Sequence, residues 1–115
     1  MIKVASEVAN WDGTQGYTKM QSILQANPNI KGVISGNDDM ALGAIAALKE
    51  AGKLSQVKIG GFDGSPDAAN AILNGEMEYF NQLQHLLLKP FVKRITSSKM
   101  AILVLTQKNN CLIAT

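Results

Sequence analysis

Two kinds of hydrophobic pattern alternate over the first two thirds of the chain. Short apolar runs at Ile2–Val8, 30–35 and 57–62 lack strict alternation, as strands buried on both faces of a parallel sheet require. Between them, apolar residues recur every three or four positions. Tyr17, Met20, Ile23 and Leu24 share one face of a helix predicted from Gly13 or Thr14 to Ala26, with Asp12 as its N-cap. Asn27-Pro28-Asn29 breaks that helix, because the residue before proline is steered away from helical geometry. A second helix is predicted over residues 40–51 from its alanine and leucine content. Asp38 is placed to accept a first-turn N–H, and Gly52 stands where a left-handed cap is needed. Ser65 caps a third helix that carries Pro66 in its first turn and closes at Gly75 near Asn74. The pattern βαβαβα predicts an α/β fold, a three-layer parallel sheet with flanking helices and right-handed crossovers.

Composition divides the chain into two unlike parts. All ten glycines and all nine acidic residues lie at or before Glu78; that part has six Lys+Arg against nine acids, net −3, and the remainder five against none, net +5. The predicted organisation is therefore a patterned domain over residues 1–78 and an anomalous basic tail over 79–115. The tail's charges are scattered and have no aromatic interleaving, so no nucleic-acid partner is expected. About 78 patterned residues bury only a marginal core. With one cysteine, Cys111, and one histidine, His85, neither an internal disulfide framework nor a Cys/His zinc cluster can be assembled; no metal or cofactor is implied. No apolar run reaches eighteen residues and the start lacks the apolar stretch of an export signal, so neither a membrane span nor a signal peptide is expected.

Ligands of open α/β sheets bind beyond the carboxyl ends of the strands. Trp11 and Asp12 follow the first predicted strand, Asn37 and Asp38 the second, and Asp63 the third. An aromatic plate, an amide that donates and accepts, and a carboxylate that accepts two hydroxyl protons suit a neutral polyhydroxylated ligand. Each residue also has a purely structural role open to it: Asp38 as a helix cap, Asn37 as cap or ligand, Trp11 as packing, and Asp63 as a turn former beside Gly64. A phosphoacceptor pocket is disfavoured because Lys58 precedes Asp63 inside the third strand. Gly13-Thr14-Gln15-Gly16 and Gly60-Gly61 miss the spacing of phosphate and dinucleotide loops. With no credible Ser/His/Asp set, no enzyme is expected; an enzyme of flavodoxin-like fold would need metal- or phosphate-dependent turnover to revive it.

Asn27-Pro28-Asn29-Ile30, Gly36-Asn37-Asp38-Asp39-Met40-Ala41-Leu42-Gly43-Ala44, Ala47-Leu48-Lys49-Glu50-Ala51-Gly52 and Gly61-Phe62-Asp63-Gly64-Ser65-Pro66-Asp67 together resemble the C-terminal lobe of the type 1 periplasmic sugar-binding proteins, from about residue 2 to Met77. The resemblance implies that Trp11 stacks on a pentose or hexose while Asn37 and Asp63 bind its hydroxyls. It also implies a two-lobed parent that closes on the sugar and docks on the membrane subunits of an ABC transporter in the periplasm. On this reading the chain is a truncated lobe, lacking the opposing lobe and the start of its own. The ligand-sensing domain of a lac-repressor-like regulator is the alternative, although Gly64 after Gly61-Phe62-Asp63 favours the transport branch.

After Met77 the resemblance leads one to expect a strand and a Leu-Gln-Pro turn, where the chain has Tyr79-Phe80-Asn81-Gln82. Codons formed from the third base of one residue and the first two of the next permit that turn: Tyr79 into Phe80 gives Leu or Phe, Phe80 into Asn81 gives Gln or stop, Asn81 into Gln82 gives Pro or Ser. The tail is accordingly read as frameshifted. It is expected to be loosely packed, with Ile102-Leu103-Val104-Leu105 exposed and prone to aggregate.

Overall fold

The computed structural model describes residues 2–78 and 101–106, with side chains over 4–78. In chain order the elements are β1 (Ile2–Val8), α1 (Gly13–Ala26), β2 (Gly32–Ser35), α2 (Asp38–Glu50), a 3-10 turn at Leu54–Gln56, β3 (Lys58–Gly60), α3 (Pro66–Leu73) and β4 (Ala101–Thr106). The four strands form one parallel sheet in the order β1-β4-β2-β3.

Local chemistry accounts for most of these boundaries. Asp12 Oδ1 accepts the N–H of Gln15 at 2.8 Å and opens α1; Ser65 Oγ accepts that of Ala68 at 3.1 Å and opens α3. α2 and α3 end on the same closing motif. The N–H of Gly52 reaches Lys49 O and that of Lys53 reaches Leu48 O, and Gly75 and Glu76 repeat the pattern on Ile72 and Ala71. Both loops turn through glycine at positive φ, +70° and +74°, a conformation that costs any residue bearing a Cβ.

One cap differs from expectation. Asn37, in extended backbone with φ −150°, caps α2 by accepting the N–H of Met40 on Oδ1 at 3.0 Å; Asp38 is already the first helical residue. A cap must be the last residue outside the helix, so the shift by one position frees the Asp38 carboxylate for another partner.

Met20, Ile23 and Leu24 of α1, Ala44, Ile45 and Leu48 of α2, Val33 of β2, Ile59 of β3 and Ala68 and Ala71 of α3 form the core, all buried. β2 is buried at all four positions, as a continuous inner strand requires. α1 crosses α2 almost backbone on backbone: a Cβ on Gly43 would lie 2.0 Å from Gly13 O, and one on Gly16 would lie 2.7 Å from Met40 O.

The expectation of a loosely packed tail is corrected for the backbone of residues 101–106. Their backbone belongs to β4, an inner strand paired with β1 from Ile2–Ala101 to Val8–Thr106 and with β2 from Gly32–Ile102 to Ser35–Leu105. An uncharged apolar run meets the need of a slot with a strand on either side, and that need outweighs the run's distance from the patterned domain. The rest of the tail, 79–100 and 107–115, lies outside the described residues, as do the phase-shifted turn and His85.

Candidate functional site: the carboxyl rim of the sheet

Because the strands are parallel, the loops after β1, β2 and β3 meet at one rim. Each presents one of the three residues expected to bind ligand. Trp11 sits in the β1–α1 turn, 36% exposed. Asn10 and Trp11 have φ of +50° and +62°, and Asp12 N donates back to Ala9 O at 2.9 Å, so this is a tight turn with both central residues left-handed. Asparagine tolerates that region and Asn10 gains a bond from its Nδ2 to Gln15 Oε1 at 2.8 Å. Tryptophan has no such compensation, and its strain is of order 1–3 kcal/mol, the kind held where a side chain must be presented.

Asn37 is buried, 8% exposed, and spends its amide on structure. Oδ1 caps α2, and Nδ2 donates to Trp11 O at 3.1 Å, tying the β2 loop to the β1 turn. One amide hydrogen and one lone pair remain for a ligand. The capping and ligand roles left open by the sequence are thus compatible in one side chain.

Asp63 is exposed and accepts the N–H of Asp38 on Oδ2 at 3.1 Å; its Oδ1 has no hydrogen-bond partner among the described residues.

Sequence reasoning named Asp38 as a rim residue and helix cap but missed that it organises the third loop. Asp38, 1% exposed, accepts four consecutive backbone N–H groups: Phe62 and Asp63 on Oδ1 at 2.8 and 3.2 Å, Gly64 and Ser65 on Oδ2 at 2.8 and 2.7 Å. Among the described residues it has no cationic partner, so these amides, whose donors all converge on one anion, compensate its burial. Asp63 bonds back to the Asp38 backbone, and the two loops are locked from both sides. Gly61 makes room, since a Cβ there would lie 2.3 Å from Asp38 Oδ1. The signal in the sequence was the pair Gly60-Gly61 ahead of Asp63, readable as a close approach but not assignable to a partner.

The rim therefore offers an indole face, an amide and a free carboxylate oxygen on three loops tied together through Asn37 and Asp38. In donor, acceptor and apolar character, such a set suits hydroxyls and an apolar ring face. Among the described residues no three His, Cys, Asp or Glu side chains gather as a metal site would need. A groove of about 450 Å³ also runs between α1 and α2, lined by Gly13, Thr14, Tyr17, Asp39, Leu42 and Gly43; it includes none of the three rim residues. Beside it, the Tyr17 hydroxyl donates to Glu50 Oε2 and accepts from Gln21 Nε2 at 2.9 Å. The hydrogen bond to the Glu50 carboxylate raises the Tyr17 pKa above the ordinary phenol value.

Known proteins resemble this chain in sequence and in fold. The D-apiose import binding protein of Actinobacillus succinogenes is 61% identical over 75 residues, covering 65% of this chain and 24% of that protein. The ribose import binding protein of Salmonella typhimurium is 45% identical over 74 residues, covering 64% and 25%. The crystal structure of an ABC transporter periplasmic solute binding protein from A. succinogenes with bound D-allose superimposes with a TM-score of 0.62 at 32% identity, covering 84% of this chain and 36% of that one. A solute binding protein from Bacillus halodurans with bound myo-inositol gives 0.60 at 29%, covering 85% and 35%. The chain spans about a quarter of the length of the curated relatives it matches. The sequence model of the periplasmic binding protein domain matches residues 1–85, and the chain belongs to that family.

Proposed function

We propose that the rim of β1, β2 and β3 is one wall of a sugar-binding site and that the chain serves as part of the substrate-binding component of a sugar ABC transporter. Trp11 stacks on the apolar face of the sugar ring, Asn37 Nδ2 donates to a ring or hydroxyl oxygen, and Asp63 Oδ1 accepts from hydroxyls. The observation that carries this reading is the cross-tying of the three loops. Asn37 reaches Trp11 O, and Asp38 and Asp63 bond reciprocally, so the three groups are held in fixed relation before any ligand arrives. Pre-organisation of that kind lowers the cost of binding.

The relatives support the ligand class. They are named for D-apiose and ribose or hold D-allose and myo-inositol, all small polyhydroxylated molecules. Their description as import and solute-binding proteins favours transport over the regulator alternative, and binding over catalysis. Residence in the periplasm and docking on transporter membrane subunits belong to the same proposal.

This wall alone is expected to hold a sugar in the millimolar range or weaker, because each tenfold in affinity corresponds to about 1.4 kcal/mol and one wall supplies only part of the contacts. Titration with D-apiose, D-ribose and D-allose, followed by NMR of the Trp11 indole, the Asn37 side-chain amide and the Asp63 and Gly64 backbone, tests it. Shifts confined to these groups and abolished by Asp63→Asn support the site. Shifts elsewhere, or none at the solubility limit of the sugars, overturn it.

A further inference from the structure

β1 and β2 flank a slot one strand wide. They do not pair with each other; each pairs in parallel with β4, through six residue pairs on the β1 side and four on the β2 side. Among the described residues β1 has no other strand partner, while β2 also has β3. With strands about 4.8 Å apart, occupation of the slot holds β1 and β2 about 9.6 Å from one another. Since the Trp11 turn continues from β1 and Asn37 follows β2, the same occupation sets the span that Asn37 Nδ2 closes onto Trp11 O.

The occupant is separable from the rest. β4 is the last of the described elements, so its withdrawal unthreads no other described one. The 22 residues 79–100 connect it to the patterned domain, enough for an extended reach of about 70 Å. Its six residues carry no charge, proline or glycine, a composition with strong preference for extended pairing.

We propose that the slot is a strand-binding site, filled in the monomer by Ala101–Thr106 and able to take the same segment from a second copy, which yields a strand-exchanged dimer. The second copy is the occupant the structure argues for. It presents the identical six-residue strand, whose backbone complementarity to both flanking strands is already displayed, and exchange replaces each parallel ladder with an equivalent one. The cis arrangement is favoured at low protein concentration because the tether sets an effective concentration in the millimolar range; the trans arrangement gains as the chain is concentrated.

Val104→Pro separates slot from strand. Val104 pairs with Ser6 on one side and Ile34 on the other, and proline in an inner strand removes a ladder donor and disrupts pairing. A tagged Val104→Pro chain is refolded from urea alone, with untagged wild-type chain, or with a synthetic peptide of residues 99–108, whose terminal lysines aid solubility. Alone, it should lose most far-ultraviolet dichroism. With wild type, it should retain the untagged chain on the tag resin in near-equal amount. The peptide should compete for that capture and restore dichroism saturably, whereas untagged Val104→Pro chain should not be captured. Wild type refolded at high concentration should contain a dimer that persists on dilution. A Val104→Pro chain with wild-type dichroism and urea midpoint would overturn the proposal. So would failure of both wild type and peptide to bind, or capture that the peptide does not relieve.

Discussion

β2 and β4 lie side by side, paired from Gly32–Ile102 to Ser35–Leu105, yet they reach the sheet under different constraints. β2 is embedded in specific chemistry: Asn27-Pro28-Asn29 ends the preceding helix, Ser35 Oγ donates to Asn37 O at 2.7 Å, and Asn37 caps the helix that follows. β4 comes from a stretch without glycine or acid, beyond residues 1–85 that the family's sequence model matches, and is paired through backbone ladders on both sides. An inner slot of a parallel sheet asks for an extended, uncharged, β-prone run and little else. Helix crossings and loop junctions ask for particular atoms to be present or absent. Specificity in this chain therefore resides in the helix crossing and the rim loops, while the sheet accepts a generic strand. The phase-shift reading of the tail, which DNA sequence continuing in the second phase through the Leu-Gln-Pro turn would support, is compatible with such an occupant.

The largest effect should follow from testing that contrast directly. In Gly43→Ala one methyl group would lie 2.0 Å from Gly13 O and 2.8 Å from Tyr17 N, both backbone atoms that can move only by separating α1 from α2. A loss of about 3 kcal/mol is expected. In so small a core that approaches the whole stability, and urea unfolding should show a transition shifted to near zero denaturant. Leu105→Ile in β4 adds no volume and keeps β propensity, so its shift should stay below about 1.5 kcal/mol. If the β4 change were the more damaging, the generic-strand view would fail.

Gly61→Ala probes the junction between the second and third loops. Its Cβ would meet Asp38 Oδ1 at 2.3 Å and push the carboxylate out of the ring of amides it accepts from. A cost of about 2 kcal/mol is expected, with loss of amide-exchange protection concentrated at Phe62, Gly64 and Ser65. Protection lost evenly over the chain would show that Asp38 supports the core rather than the loop.

Asn37→Ser distinguishes the two uses of one side chain. Serine is as good a cap as asparagine, so the α2 terminus should keep its stability within about 0.5 kcal/mol, but the shorter side chain cannot reach Trp11 O. Greater mobility of the Trp11 indole, read by fluorescence anisotropy, should appear without a matching change in the urea midpoint. A midpoint shift with unchanged anisotropy would assign Asn37 to capping alone.

Much of this was legible because it is local. Asp12, Ser65, Gly52 and Gly75 announce helix ends through interactions that span a few residues, and the four apolar periodic positions of α1 resolve into three buried residues and a half-buried Tyr17. The sequence order of strands was legible too; their spatial order was not. Nothing local to β1, α1 and β2 says that a slot is skipped, because the pairing that fills it is supplied by the distant residues 101–106. The same holds at the rim. Position beyond the strand ends singled out Trp11, Asp12, Asn37, Asp38 and Asp63, and the family resemblance narrowed them to Trp11, Asn37 and Asp63, but Asp38 acts on a loop 24 to 27 residues away and only the folded geometry shows which N–H groups point at it.

The smallest effect is expected at the α1–α2 crossing, at Tyr17, whose backbone N would lie 2.8 Å from a Cβ on Gly43. Its hydroxyl bonds to Glu50, which favours the neutral phenol, so its pKa in the folded chain lies above the ordinary value of 10.0. Between the unfolded and folded values the native state binds the proton that the unfolded state has released, and stability falls as pH rises through that window. The contribution is complete below pH 10.0 and is lost as pH climbs through the folded pKa. Tyr17→Phe should flatten the difference in urea midpoint between neutral and strongly alkaline solution without moving the Gly61 or Asn37 signatures. Phenolate absorbance of the wild-type chain should then show one of its two tyrosines, Tyr17, titrating late. An unchanged alkaline slope in Tyr17→Phe would place the sensitivity in other groups and leave the Tyr17–Glu50 contact without weight in holding α1 to α2.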